Sequence, residues 1–138
     1  MQRILALDVG DKRIGIAVSD PLGYTAQGLE TYTRQGDIEK DVGHILAIAA
    51  KYKPVRLLFG LPRNMDGSYG FQSEKVRAFA DAVLSNWDGE YDFYDERLTT
   101  AAAERMLIDA DVSREKRRKV IDKVAAVVIL QGYLETQY

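Results

Sequence analysis

The sequence predicts a single α/β domain built on one mixed five-stranded sheet, and three observations carry that prediction. The chain has 138 residues, the size of one domain and enough to bury roughly two-thirds of its unfolded surface. Hydrophobic residues make up 46% and charged residues 29%, a balance that supports a packed core and argues against disorder. Strand-like runs come first, and helical stripes then alternate with short apolar runs, the order of a meander followed by crossover units.

Arg-Ile-Leu-Ala-Leu-Asp-Val at 3–9 reads as a buried strand. Gly10-Asp11-Lys12 is turn chemistry, and Ile14, Ile16 and Val18 alternate with Gly15 and Ala17, so a second strand folds back as a hairpin. Ser19-Asp20-Pro21 closes it, and Tyr24 to Thr33 is expected as a third antiparallel strand. Asp37 to Tyr52 is helical, with Ile38, Val42, Ile45, Leu46 and Ala49 on one stripe and Pro54 as the stop signal. Val55 to Phe59 is a short apolar run of the kind found inside parallel sheets. A loop over 60–70 leads to a helix from Ser73 to Leu84, which turns Val76, Phe79, Ala80 and Val83 inward. Glu90 to Glu96 is the fifth strand. Thr99 or Thr100 caps a helix running to Asp109, and Ser113 caps a last helix ending near Glu135. The order β-β-β-α-β-α-β-α-α gives a three-strand antiparallel meander joined by right-handed crossovers to two parallel strands, with helices flanking the sheet. No linker or repeat divides it.

Composition removes whole classes of chemistry. There is no cysteine, which excludes disulfides, thiolate metal sites and cysteine nucleophiles. His44 is the sole histidine, which argues against a histidine metal cage or a Ser-His-Asp triad. The uncharged stretch Val124 to Leu134 has 11 residues, against the roughly 20 a bilayer requires. Residues 4–7 run straight into Asp8, too short for a signal-peptide core. The expectation is a soluble, cytoplasmic protein with no membrane partner.

Net charge is −2, from 19 basic and 21 acidic residues, which is not the overall signature of a nucleic-acid binder. The charges are segregated, however. Five acids and no base lie between Asp88 and Glu96, and five bases with one acid lie between Arg114 and Lys119. An acidic pocket and a basic patch could serve metal and phosphate respectively, or both could be solvated surface.

Three carboxylates sit where a purely structural account is strained. Asp8 interrupts an apolar strand, where a carboxylate is costly to bury without a partner. Glu96, with Asp95 beside it, ends the last strand. Asp122 shares a helix face with Ala125, Ala126, Ile129 and Tyr133, and the two alanines would let that helix sit close to the sheet. Parallel crossovers bring the ends of the first and last strands to one edge, so the three acids can converge. Three anions at close range repel unless a cation intervenes. Hard divalent ions, Mg²⁺ or Mn²⁺ and as a pair, suit oxygen ligands and the hydrolysis of a phosphodiester. Each acid also has an ordinary reading: a turn or cap for Asp8, an i−4 pair with Arg118 for Asp122, and a pair near Arg97 for Glu96.

Four motifs in order, Leu7-Asp8-Val9-Gly10-Asp11-Lys12-Arg13-Ile14-Gly15, Gly60-Leu61-Pro62 with Met65-Asp66-Gly67-Ser68, Asp95-Glu96-Arg97-Leu98-Thr99-Thr100, and Asp122-Lys123-Val124-Ala125-Ala126 with Ile129-Leu130-Gln131, resemble the YqgF/RuvX family. The likeness spans the whole chain. It implies a ribonuclease-H-like fold and a metal-dependent nuclease, described either as maturing the 5′ end of pre-16S rRNA or as a Holliday junction resolvase. By the same resemblance Asp8, Glu96 and Asp122 are the catalytic metal ligands. Better-known resolvases of this fold carry an acid near the end of the fourth strand, where this chain has Gly60-Leu61-Pro62. The further acid must then be Asp95 or Glu96, which point to opposite faces of a regular strand.

Gly10 would let a phosphate backbone approach Asp8, and Lys12, Arg13 and Arg97 flank the site. Arg114, Lys116, Arg117 and Arg118 open a helix, where positive charge opposes the macrodipole unless phosphate binds there. His44 is expected to be structural, and Trp87 and Tyr133 to pack or to stack on bases. Partners are nucleic acid, as pre-rRNA or branched DNA, and ribosomal particles, with the chain a monomer or homodimer. A binding module without catalysis is the alternative from another class. An actin-like ATPase, suggested by Asp8-x-Gly10, needs two such domains where this chain supplies one.

Overall fold

The computed structural model describes residues 2–62, 70–95 and 113–136, without the side chains of 114, 115 and 117–120. Glu96, Arg97, the helix expected after Thr99 or Thr100, most of the 60–70 loop, and the side chains of Arg114, Arg117 and Arg118 lie outside the described residues. The described elements are β1 (Arg3–Val9), β2 (Arg13–Ser19), β3 (Ala26–Thr33), α1 (Ile38–Lys51), β4 (Val55–Leu61), α2 (Phe71–Leu84), β5 (Tyr91–Asp95) and α3 (Arg114–Glu135). They form one five-stranded sheet in the order β3-β2-β1-β4-β5. β1 pairs antiparallel with β2 and β2 with β3, while β1–β4 and β4–β5 are parallel. This is the meander with two added parallel strands that the sequence predicts.

The alternation along each strand assigns its side chains to two cores. Leu5, Leu7, Val9, Ile14, Ile16, Leu57 and Phe59 face α1 and α2, meeting Ile45 and Phe79. On the opposite face Ile4, Ala6, Ala17 and Leu58 meet Ala126, Ile129 and Leu130 of α3. Ala6 and Ala17 keep the sheet side of this second core low, which lets α3 lie close over β1 and β2.

Three expected details differ. β3 begins at Ala26 rather than Tyr24, because Asp20 accepts hydrogen bonds from the amides of Leu22, Tyr24 and Thr25 and holds them in a tight loop. α2 begins at Phe71 rather than Ser73, whose hydroxyl instead donates to the Gly70 carbonyl in the first turn. On α1, Ile38 is 47% exposed and Asp41 is buried. Ser113 caps α3 as expected, accepting from the Lys116 amide, and Asp37, read as the first helical residue, instead caps α1 by accepting from the Glu39 amide. Among the described residues no helix is long and apolar enough to cross a membrane.

Candidate active site

Strand parity decides which acids share a face. Asp8 follows Ile4 and Ala6 in the alternation of β1, so it lies on the α3 face at the C-terminal end of the central strand. It is partly buried and pairs directly across the hairpin with Gly15, which belongs to the same face. A Cβ on Gly15 would collide with the carbonyl of Asp122. The α3 backbone therefore rests on β2 beside Asp8, and only glycine permits that approach. The alanines at 125 and 126, both buried, continue the close contact along the helix.

Arg13 completes the cluster. It lies on the Gly15 face, two residues nearer the turn, and its Nε donates to Asp122 Oδ2 at 2.8 Å. Asp122 is thus paired across the fold with Arg13. Like charge from Asp8 and Asp122 on one face is unfavourable, and the guanidinium of Arg13 offsets part of it. The arginine side chain is 46% exposed, so much of its donor fork faces solvent.

Asp95 lies on the other side of the sheet. It shares parity with Phe93 and pairs with Leu61, both on the α1/α2 face. Asp92 and Tyr94 face α3, where Tyr133 donates to Asp92 Oδ2 at 2.9 Å and its ring meets Tyr94 edge-on. Among the described residues no three acidic or imidazole side chains gather to hold a metal ion. Asp8 and Asp122 are in that set and Glu96 is not.

The turn residues have structural duties as well. The Gly10 amide donates to the Arg13 carbonyl at 2.9 Å, and a Cβ on Gly10 would lie 2.8 Å from that oxygen, so the turn itself requires glycine. Lys12 is exposed. Lys116 is exposed in the first turn of α3, about two helical turns before Asp122. His44 is structural: it stacks on Tyr32 at 4.1 Å and bonds Glu30 at 2.9 Å. Tyr133 is 5% exposed, bonded to Arg56 and Asp92, which removes it as a base-stacking surface. Trp87 is held by its indole N–H on the Glu90 carbonyl.

Sequence reasoning missed a network behind the site. Asp41, 1% exposed, accepts from Tyr32 Oη, Arg34 Nε and the Gln35 amide at 2.9, 2.9 and 3.1 Å. Burial opposes its ionisation, but the hydrogen bonds from Arg34, Gln35 and Tyr32 outweigh it and hold the carboxyl below its ordinary value. The Tyr32 phenol moves the other way, raised by burial and by its bond to Asp41. The available signal was an acid interrupting the apolar stripe of α1.

A mixed sheet of this order, with an acid on the central strand and another on the helix crossing it, defines a ribonuclease-H-like domain. The Thermus thermophilus RuvC chain solved in complex with a Holliday junction substrate shares that fold, with a TM-score of 0.62, 13% identity, and coverage of 99% of this chain and 96% of that one. Another T. thermophilus RuvC structure aligns with a TM-score of 0.54 over the same shares. The family described as "RuvX: Holliday junction resolvase" matches residues 2–136, and the chain belongs to that family. Similar relatives carry the name "Putative pre-16S rRNA nuclease". The protein of Desulforamulus reducens is 58% identical over 134 residues, 97% of each chain. That of Clostridium tetani is 50% identical over 136 residues, 99% of this chain and 98% of its own.

Proposed function

We propose that this protein is a divalent-metal-dependent nuclease that hydrolyses phosphodiester bonds in structured nucleic acid and processes the 5′ end of pre-16S rRNA. The observation that carries the reading is the seating of Asp122 on Gly15, which brings a helix carboxylate to the same sheet face and edge as Asp8. Two acids on that face and edge offer the hard oxygen donors that Mg²⁺ or Mn²⁺ prefers. Asp8, Asp122 and Glu96 would hold the metal. Asp95 is the poorer candidate, because it shares parity with the α1/α2 face. When bound, the metal would supply charge neutralisation and an activated water.

The chain's own residues supply the rest. Arg13 steadies Asp122, and its half-exposed side chain on the same sheet face as Asp8 can grip a phosphate. Lys12 and Lys116 add positive charge on the approach, and Arg97, Arg114, Arg117 and Arg118 extend it in sequence. The RNA substrate follows the names of relatives that match along their full lengths. The family description and the RuvC fold favour branched DNA as the second substrate to be tested. Cytoplasmic ribosomal precursor particles are the expected setting, and symmetric cutting of a junction would require a homodimer.

The test is cleavage of end-labelled pre-16S RNA and of a four-way DNA junction with Mg²⁺ or Mn²⁺, comparing wild type with Asp8→Asn. RNA cleavage that is lost in the variant and with EDTA supports the proposal. Cutting of the junction alone makes the protein a resolvase. Binding of RNA without cleavage by either protein makes it a binding module.

A further inference from the structure

The turn between β1 and β2 links Asp8 to Arg13, so its conformation sets how the carboxylate of one strand stands relative to the guanidinium of the next. Asp11 and Lys12 within it are exposed. Behind it lies an open cleft of about 560 Å³ lined by Asp11, Lys12, Thr33, Arg34, Asp37 and Asp41, among others. Lys75 and Arg34 reach the turn from elsewhere. Lys75 of α2 reaches Asp11 at 3.3 Å in an exposed, weak pair. Arg34, just beyond the end of β3, donates from Nη1 to the Gly10 carbonyl at 3.0 Å.

Arg34 is itself fixed by three further contacts. Its Nε donates to the buried Asp41 at 2.9 Å, and its amide donates to the Lys12 carbonyl at 2.8 Å. Its guanidinium lies 4.9 Å above the Phe79 ring of α2. Asp41 in turn is fixed by Tyr32 and by the Gln35 amide. A planar fork can serve two acceptors at once, and here one prong takes α1 while the other takes the turn.

We infer that Arg34, oriented by Asp41, is a positioning residue for the proposed reaction: it clamps the Gly10 carbonyl and thereby fixes Asp8 and Arg13 relative to Asp122. This rests on the nuclease reading of the site, but the clamp itself can be measured without cleavage. A misplacement of about 1 Å at a reacting group can cost about a hundredfold in rate, so the clamp acts on turnover more than on binding.

The experiment compares Arg34→Lys with wild type, because lysine keeps the charge but cannot serve Asp41 and Gly10 together. Asp41→Asn is the second variant, should the first fail to fold. Tyr133→Phe, which cuts a polar network at the far end of α3, controls for general loss of stability. Amide exchange of the metal-free proteins is read at Gly10, whose N–H closes the turn, and at Leu5 and Leu7 in the core. The clamp predicts exchange at Gly10 faster by about tenfold or more in Arg34→Lys, with the core amides unchanged. It also predicts kcat on pre-16S RNA down by about 10- to 100-fold with KM within about twofold, while Tyr133→Phe leaves both at wild-type values. Unchanged exchange at Gly10, or core amides rising in step with it, overturns the inference. If wild type cleaves nothing, the proposed function fails, and the exchange data still decide whether the clamp exists.

Discussion

The main chain of Asp122 rests directly on Gly15, the residue paired across the hairpin from Asp8. Any side chain at position 15 must push α3 away from β2. Gly15→Ala is therefore expected to destabilise the fold by about 1–3 kcal/mol, as overpacking does, and to lower cleavage further than that loss explains. Urea denaturation and single-turnover cleavage on one preparation check this. A variant that unfolds and cleaves like wild type would show that α3 does not need this approach.

Tyr133 and Arg56 mark the opposite end of α3. The Tyr133 hydroxyl bridges Arg56 Nη1 and Asp92 Oδ2 at 3.0 and 2.9 Å, and burial raises its phenol above the ordinary value despite the Arg56 hydrogen bond. Tyr133→Phe leaves the half-buried Arg56 and the exposed Asp92 without their bridge, at a cost of about 1–3 kcal/mol in denaturant midpoint analysis. The cleavage rate is expected to stay within about twofold of wild type, since Tyr133 lies about three helical turns from Asp122 along α3.

Acid should weaken the fold through Asp41. Its folded-state pKa lies below the ordinary 3.8. The ionised carboxylate therefore stabilises the native state at neutral pH, and that contribution is lost as pH falls below the ordinary value and through the folded one. In urea denaturation from about pH 7 to about pH 3, wild type should lose more stability than Asp41→Asn, which starts lower and varies less. Parallel curves for the two proteins would contradict the assignment.

The basic opening of α3 gives a separate expectation. Replacing Lys116, Arg117 and Arg118 together with alanine should weaken RNA binding and flatten the slope of log affinity against log salt by about two to three. Filter binding over a salt series measures it. An unchanged slope would place the phosphate path elsewhere.

Much of this architecture was legible from local patterns, because strand alternation and helix stripes each report one face of one element. Asp8 and Asp122 stood out as acids set among apolar neighbours, and the alanines after Asp122 signalled a close helix. Gly15 was harder to read. In sequence it is one small residue in an alternating strand, and its meaning depends on a helix more than 100 residues away that only the packed fold brings over it. Asp41 was hidden for a similar reason: its partners Tyr32 and Arg34 belong to the preceding strand end, and a helical stripe alone does not show a buried ion pair. That Asp95 lies on the α1/α2 face needed the register of β5 against β4, which pairs Leu61 with Asp95 and which no single-strand pattern supplies.

The central claim is that Asp8 and Asp122 act as one site. A double-mutant cycle on single-turnover cleavage of pre-16S RNA, with Asp8→Asn, Asp122→Asn and both together, tests it most directly. Each single change should lower the rate by about a hundredfold or more, and the double variant should fall little below the worse single, as residues acting as a unit do. Losses that multiply, or an Asp122→Asn protein that cleaves like wild type, would contradict the account.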